Sequence, residues 1–159
     1  IVKTPEWTVL AWNRAASVVL ADYARLPEGE RNVLRILFRP GKREQMPNWE
    51  QVARNVVSAA RRDIQRAGMT AETEALIAEL GRDSAEFRAM WAEQDVTAHG
   101  EGVKGLRHPD AGLLNLEYAT FALDGRPDLA MVVFNPATAE DRAKVRRLVA
   151  GAGDATPSP

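Results

Sequence analysis

Gly112-Leu113-Leu114-Asn115-Leu116-Glu117-Tyr118-Ala119-Thr120-Phe121-Ala122-Leu123 runs into Asp124-Gly125-Arg126-Pro127-Asp128 and then into Leu129-Ala130-Met131-Val132-Val133-Phe134. Leu114, Leu116 and Tyr118 alternate with Asn115 and Glu117, the two-residue period of a strand with one buried face. The phase slips at Ala119-Thr120 before Phe121 and Leu123, which predicts a bulge there. Residues 124–128 have the composition of a turn. Leu129 to Phe134 is continuously apolar, as a central strand requires. Upstream, Val96 to Gly105 reads as a glycine-containing loop, Val103 to His108 as a further strand, and Pro109-Asp110-Ala111-Gly112 as a turn. Three strands joined by tight turns form an antiparallel meander. Asn135-Pro136 ends the last of them. A helix follows over Ala139 to Val149, and residues 151–159 read as a disordered tail.

Ahead of the meander the signals are mostly helical. Ile1-Val2, a turn at Thr4-Pro5-Glu6 and Thr8 to Trp12 read as a front hairpin. Asn13 is placed to cap a helix over Arg14 to Tyr23. Pro27-Glu28 predicts the start of a second helix with Val33, Leu34, Leu37 and Phe38 inward, stopped by Pro40-Gly41. Trp49, Val52, Ala53, Val56, Val57, Ala60 and Ile64 recur at three- and four-residue steps, the clearest helix of the chain, ended by Gly68. Ala71 to Leu80 predicts a fourth helix stopped by Gly81. Ser84 caps a fifth that carries Phe87, Met90 and Trp91. Two strands, about five helices, three strands and a helix make an α+β domain. The expectation is a PAS-like antiparallel sheet of about five strands with helices on one face, spanning residues 1–150.

Composition bounds the function. The 159 residues contain no cysteine and two histidines. Disulfides, zinc thiolates, iron–sulfur clusters and cysteine nucleophiles are excluded, and no metal or cofactor is expected. The formal charge is −1, and residues 1–45 carry only eight basic against five acidic side chains. No stretch has the basic footprint of a nucleic-acid-binding domain. No apolar run is long enough for a membrane span, and Ile1-Val2-Lys3-Thr4-Pro5 is not a signal peptide. The cytoplasm is the expected compartment. The absence of an initiator Met predicts a piece of a longer chain.

Motifs for catalysis are weak. Gly100-Glu101-Gly102-Val103-Lys104-Gly105 matches G-x-G-x-x-G, but a polar stretch precedes it and His108-Pro109 follows it, which is not the strand–turn–helix context of a dinucleotide site. His99 and His108 lack the spacing of two ligands on a helix face. His99 reads as a solvated loop residue. His108 is either a structural hydrogen-bonding residue or a polar group in a pocket. Glu72, Glu74, Glu79, Asp83 and Glu86 read as a solvated helix surface. The aromatic set Trp12, Phe38, Trp49, Phe87, Trp91, Tyr118, Phe121 and Phe134 reads as core. A layer of helices on a sheet can also enclose an apolar cavity walled by such residues. Arg35 and Arg88 lie among them in sequence. Each is either an anion-binding residue or a surface charge with its stem packed down.

Three blocks carry a resemblance. The first is Val9-Leu10-Ala11-Trp12-Asn13-Arg14-Ala15-Ala16. The second is Glu30-Arg31-Asn32-Val33-Leu34-Arg35-Ile36-Leu37-Phe38 with Trp49 and Val52-Ala53-Arg54. The third runs from Phe87-Arg88 and Trp91 through Asp95-Val96, Gly102, Lys104, His108-Pro109, Gly112-Leu113-Leu114, Leu116 and Tyr118 to Val132-Val133-Phe134. In this order they resemble the ligand-binding domain of MmyB-like transcription regulators, proteins with an N-terminal helix-turn-helix of the XRE type. Gln94 and Asn135-Pro136-Ala137-Thr138 depart from the family pattern. The resemblance implies a PAS-like sensor, a DNA-binding domain upstream of Ile1, and an apolar ligand such as the long-chain fatty acid found in one such domain. The expected function is effector binding by a bacterial transcription regulator, not catalysis. The expected ligand-binding residues are Trp12, Asn13, Arg35, Phe38, Trp49, Arg88, Trp91, His108 and Tyr118. Expected partners are a small apolar ligand, DNA through the upstream domain only, and a second copy of the chain. A ligand-free dimerisation module and a cofactor-dependent enzyme stand as alternatives.

Overall fold

A computed structural model describes residues 1–93 and 101–152 of the chain. The order of elements is β1 (Val2–Lys3), β2 (Val9–Ala11), α1 (Arg14–Val19), α2 (Val33–Phe38), α3 (Trp49–Ala67), α4 (Ala71–Asp83), α5 (Ala85–Ala92), β3 (Glu101–His108), β4 (Gly112–Leu123), β5 (Arg126–Pro136) and α6 (Ala139–Gly151). One five-stranded antiparallel sheet has the order β2-β1-β5-β4-β3. The meander and the front hairpin therefore share one sheet, and the apolar strand β5 is its centre. The α+β, PAS-like architecture expected from the sequence is the one observed.

Parity along the strands decides which side chains meet the helices. Leu114, Leu116, Tyr118 and Thr120 of β4 share the inner face with Phe134 and Val132 of β5 through the pairs Tyr118–Phe134 and Thr120–Val132. On β3 the same face carries Gly102, Lys104 and Leu106, opposite Tyr118, Leu116 and Leu114. The helical layer supplies Leu34 and Leu37 of α2, the apolar stripe of α3 from Trp49 to Ala60, Leu76 and Leu80 of α4, and Phe87 and Met90 of α5. At ~25 cal/mol per Å² of buried apolar area, this shared core is the main source of stability. The aromatic rings of Phe38, Trp49, Phe87 and Trp91 form one run through it. Phe38 meets Trp49 and Phe87 edge to face at 5.5 and 5.1 Å, and Phe87 stacks on Trp91 at 5.5 Å.

Several elements depart from the sequence reading. The second helix does not begin at Pro27-Glu28, where only a single 3-10 turn forms over Glu28–Glu30. It begins at Val33, because the Asn32 carboxamide caps it. Oδ1 of Asn32 accepts from the amides of Leu34 and Arg35, and its Nδ2 donates to the Glu6 carbonyl at 2.7 Å. The first helix ends at Val19, short of Tyr23. Gly81 does not stop α4, which continues to Asp83. Ser84 breaks the helix there and caps the next one through its bond to the Phe87 amide.

The bulge lies at Ala122/Leu123 rather than at Ala119-Thr120. Alternation is unbroken to that point, and Phe121 simply faces outward, half exposed. The strand β3 starts at Glu101, so most of the glycine motif is strand and not loop. His99, Gln94, Asp95-Val96 and all but the first two residues of the expected tail lie outside the described residues. Gly151 itself belongs to α6.

Candidate functional site

A cavity lies between the inner face of the sheet and the helical layer. Lys104, Tyr118, Thr120, Val132 and Phe134 form its floor. Val33, Ile36 and Leu37 of α2 and Val52 and Val56 of α3 form its roof. Trp7, Leu20, Tyr23 and Ile1 close one side, and Lys42 stands on the segment between α2 and α3. The cavity volume is about 60 Å³, inside an envelope of about 680 Å³ that includes space open to solvent. A second cavity of about 180 Å³ adjoins it, walled by Asn13, Ala15, Ala16 and Val19 on one side and Leu116, Pro136 and Val145 on the other. Ile1, Leu20, Val132 and Phe134 line both.

Three local devices build the first cavity. The segment after α2 is held along the free edge of β3. The Asn48 carboxamide bonds both the Gly105 amide (2.9 Å) and the Val103 carbonyl (2.9 Å), and the Arg107 amide donates to the Gln45 carbonyl at 2.7 Å. This covers an edge that would otherwise expose unpaired backbone, and it sets Lys42 near Lys104. Second, Gly102 leaves room for Tyr118. A Cβ at residue 102 would stand 2.8 Å from the Tyr118 hydroxyl. Third, Trp7 adopts φ +66°, a left-handed conformation that costs a non-glycine residue roughly 1–2 kcal/mol. It is held there by its indole N–H, which donates to Asp63 at 3.0 Å, and by its carbonyl, which accepts from the Val33 amide at 2.9 Å.

The charges in this region are arranged unequally. Lys3 on β1 is fully buried, but its ammonium bonds Asp63 at 2.9 Å and lies 4.1 Å from the Trp7 ring centre. Desolvation lowers its pKa and Asp63 opposes the shift. Lys104 has no acidic partner among the described residues. Its ammonium lies 5.6 Å from the Phe134 ring centre. Desolvation, with Lys42 pushing the same way, lowers its pKa to about 8. Lys42 donates to the neutral Gln45 amide oxygen at 3.4 Å, and its pKa is also lowered, by burial first and then by Arg39. Tyr23 is pushed up to about 12 by burial.

Of the nine residues expected at the site, Tyr118 lines this cavity and Asn13 the second one. Asn13 also caps α1, accepting from the Ala16 amide at 2.9 Å. Trp12 lies behind the wall, against Tyr23 at 5.4 Å. Phe38, Trp49 and Trp91 belong to the aromatic run within the helical layer, and the Trp49 indole N–H donates to the Leu37 carbonyl. Arg35 is paired with Glu79 through two bonds, and Arg88 is exposed and bonds the Gly81 carbonyl. His108 Nε2 meets the Val18 carbonyl at 2.9 Å while Nδ1 accepts from the Asp110 amide at 3.1 Å. That pattern fixes the Nε2–H tautomer and gives His108 the tying role between β3 and α1. Lys42, Lys104, Trp7 and Tyr23 were not expected. Three of only four lysines in a chain with 17 arginines turn inward or line the cavity, and that rarity was a legible signal.

Among the described residues no group of three or more histidine, aspartate or glutamate side chains is placed to hold a metal. No helix of the described residues is long and apolar enough to cross a membrane. A sheet covered by helices over an apolar cavity, with charged groups few and at its margin, is the architecture of a small-molecule-binding module. The family model of the MmyB-like transcription regulator ligand binding domain matches residues 1–148, and the chain belongs to that family. Among curated proteins none matches the chain at a significant level.

Proposed function

We propose that this chain is the effector-binding domain of a bacterial, cytoplasmic transcription regulator. It takes a small apolar ligand, a fatty acid in the first instance, between the sheet and α2–α3. Occupancy then modulates DNA binding by a helix-turn-helix domain in the longer protein. The observation that carries this reading is the cavity itself. Its walls are aliphatic and aromatic, and its polar side chains are Lys42, Lys104, Tyr23, Tyr118 and Thr120. Among the described residues no set of nucleophile, base and orienting residue surrounds it, and the lining supports binding. Coupling to DNA requires that the ligand prefer one of two conformations. The side chains shared by the two cavities are where such a preference would arise.

Native mass spectrometry of freshly purified protein, with its organic extract examined in parallel, tests the reading. A non-covalent mass that reappears in the extract as a lipid is the expected result. A clean apo mass, together with no thermal shift from any amphiphile in a screen of acids, alcohols and esters, would overturn it.

One observation favours a second, compatible role as a dimerisation module. The outer face of the sheet exposes Val103, Phe121 and Met131, with Phe121 and Met131 paired across β4 and β5. Sedimentation velocity over a range of concentrations separates a homodimer from a monomer.

A further inference from the structure

The same sheet face holds two inward lysines, and the contrast between them is informative. Lys3 is neutralised by Asp63 and covered by the Trp7 ring. Lys104 stands two positions from Leu106 on β3, over an apolar floor, with no carboxylate among the described residues to meet it. A second cation, Lys42, lines the same cavity, and its ammonium's partner among the described residues is a neutral amide oxygen at 3.4 Å. Two like charges at one end of an apolar space repel each other and lose hydration. The described residues that neutralise Lys3 offer no carboxylate to this pair. The Tyr118 hydroxyl stands at the same end, over Gly102, within 3.5 Å of the Asn55 amide nitrogen. Arg35 and Arg88 are engaged elsewhere.

We propose that Lys104 and Lys42, with the Tyr118 hydroxyl, form the site for the carboxylate of an acyl-chain ligand, whose tail runs under α2 towards Trp7 and Leu20. This rests on the reading of the cavity as a ligand site and adds the charge and orientation of the guest. The carboxylate would accept charge-assisted hydrogen bonds from the two ammonium groups and a third bond from the phenol. Lys42 belongs to the segment held on β3 by Gln45 and Asn48. An acid bound there would therefore bridge the α2–α3 connection to the sheet.

The test uses delipidated protein and a matched set of hexadecanoic acid, hexadecanol and methyl hexadecanoate, titrated by displacement of an environment-sensitive fluorescent probe. Wild-type protein is expected to bind the acid at least tenfold more tightly than the alcohol or ester. Lys104→Met and Lys42→Met should each remove most of that preference and leave alcohol binding within about twofold. Lys104→Arg, which keeps the charge, should retain it, and Arg88→Ala should change nothing. Circular dichroism confirms that each variant is folded. Equal binding of acid and alcohol by the wild type would overturn the head-group assignment while leaving the apolar cavity standing. So would an acid preference that survives both methionine variants. Failure of all three compounds to bind would instead overturn the ligand-site reading on which the assignment rests.

Discussion

Lys3 and Lys104 share the inner face of one sheet, yet their surroundings oppose each other. Lys3 cannot be exposed without opening the hairpin, so its charge depends on Asp63. The same carboxylate oxygen accepts the Trp7 indole N–H and thereby holds a residue with φ +66°. Asp63→Ala would leave a buried ammonium and an indole donor without their partner. The expected cost is about 3–5 kcal/mol, the range for breaking one side of a buried ion pair. Urea unfolding measures it. A loss below ~1 kcal/mol would show that the Lys3 ammonium reaches water and that the pairing is incidental. The double variant Lys3→Met/Asp63→Leu should recover much of the loss, because replacing both charges removes the uncompensated one. Nothing in the local sequence announces this pair, since its members are 60 residues apart.

Single elements are fixed by short-range signals where those exist and by distant ones where they do not. Asn13, Gly68 and Ser84 were legible as helix boundaries because capping acts within three or four residues. The start of α2 was not, because Asn32 is committed by the Glu6 carbonyl, 26 residues earlier, as much as by its own helix. Nor was the start of β3, because Gly102 answers to a ring on the neighbouring strand and not to a loop. The loop expected over Val96 to Gly105 overlaps the strand expected over Val103 to His108, and that overlap left the parity of Lys104 undecided.

Another element, α6, is held by one buried carboxylate. The Asp141 carboxylate accepts from the Thr138 hydroxyl at 2.7 Å and from the Asn115 amide of β4 at 3.1 Å, while the Asp141 amide donates to the Thr138 hydroxyl oxygen at 3.1 Å. Burial pushes its pKa up, but these bonds and the Lys144 charge outweigh it and hold it below the usual aspartate range. Asp141→Ala should cost about 1–3 kcal/mol by leaving the Thr138 hydroxyl and the Asn115 amide without their carboxylate acceptor. A carboxylate with a lowered native pKa contributes stability above its unfolded pKa and loses it as pH falls through the native value. The gap between wild type and variant, read from urea midpoints, should therefore be constant near neutrality and close below about pH 4. A gap that persists unchanged to pH 2 would assign the effect to packing instead.

For the molecule as a whole, the proposed head-group site predicts that stability and acid binding depend on pH in opposite directions. The Lys104 pKa is lowered to about 8, whereas an exposed lysine titrates near 10.4. Between those values the unfolded chain holds a proton that the native, unliganded protein has released. Stability then rises with pH across the window, because the unfolded state binds more protons. Lys42 and Lys3, also lowered, act in the same sense. Tyr23, pushed up to about 12, opposes only above about pH 10, where an unfolded tyrosine ionises. A bound carboxylate reverses the situation at Lys104 by favouring its charged form. At a hundredfold excess over Kd, an acid should add about 2.7 kcal/mol. At about 2–4 °C per kcal/mol for a chain of this size, that is a rise in Tm of roughly 5–10 °C at pH 7. Above pH 8 binding must draw a proton from solvent, so affinity should fall by up to about tenfold per pH unit and the shift should shrink. The alcohol carries no charge, and its shift should stay level over the same range. Thermal melts at pH 7, 8, 9 and 9.5 with each compound decide the matter. Parallel decline for acid and alcohol would trace the change to the fold, and a level response to both would place the titrating lysine away from the guest.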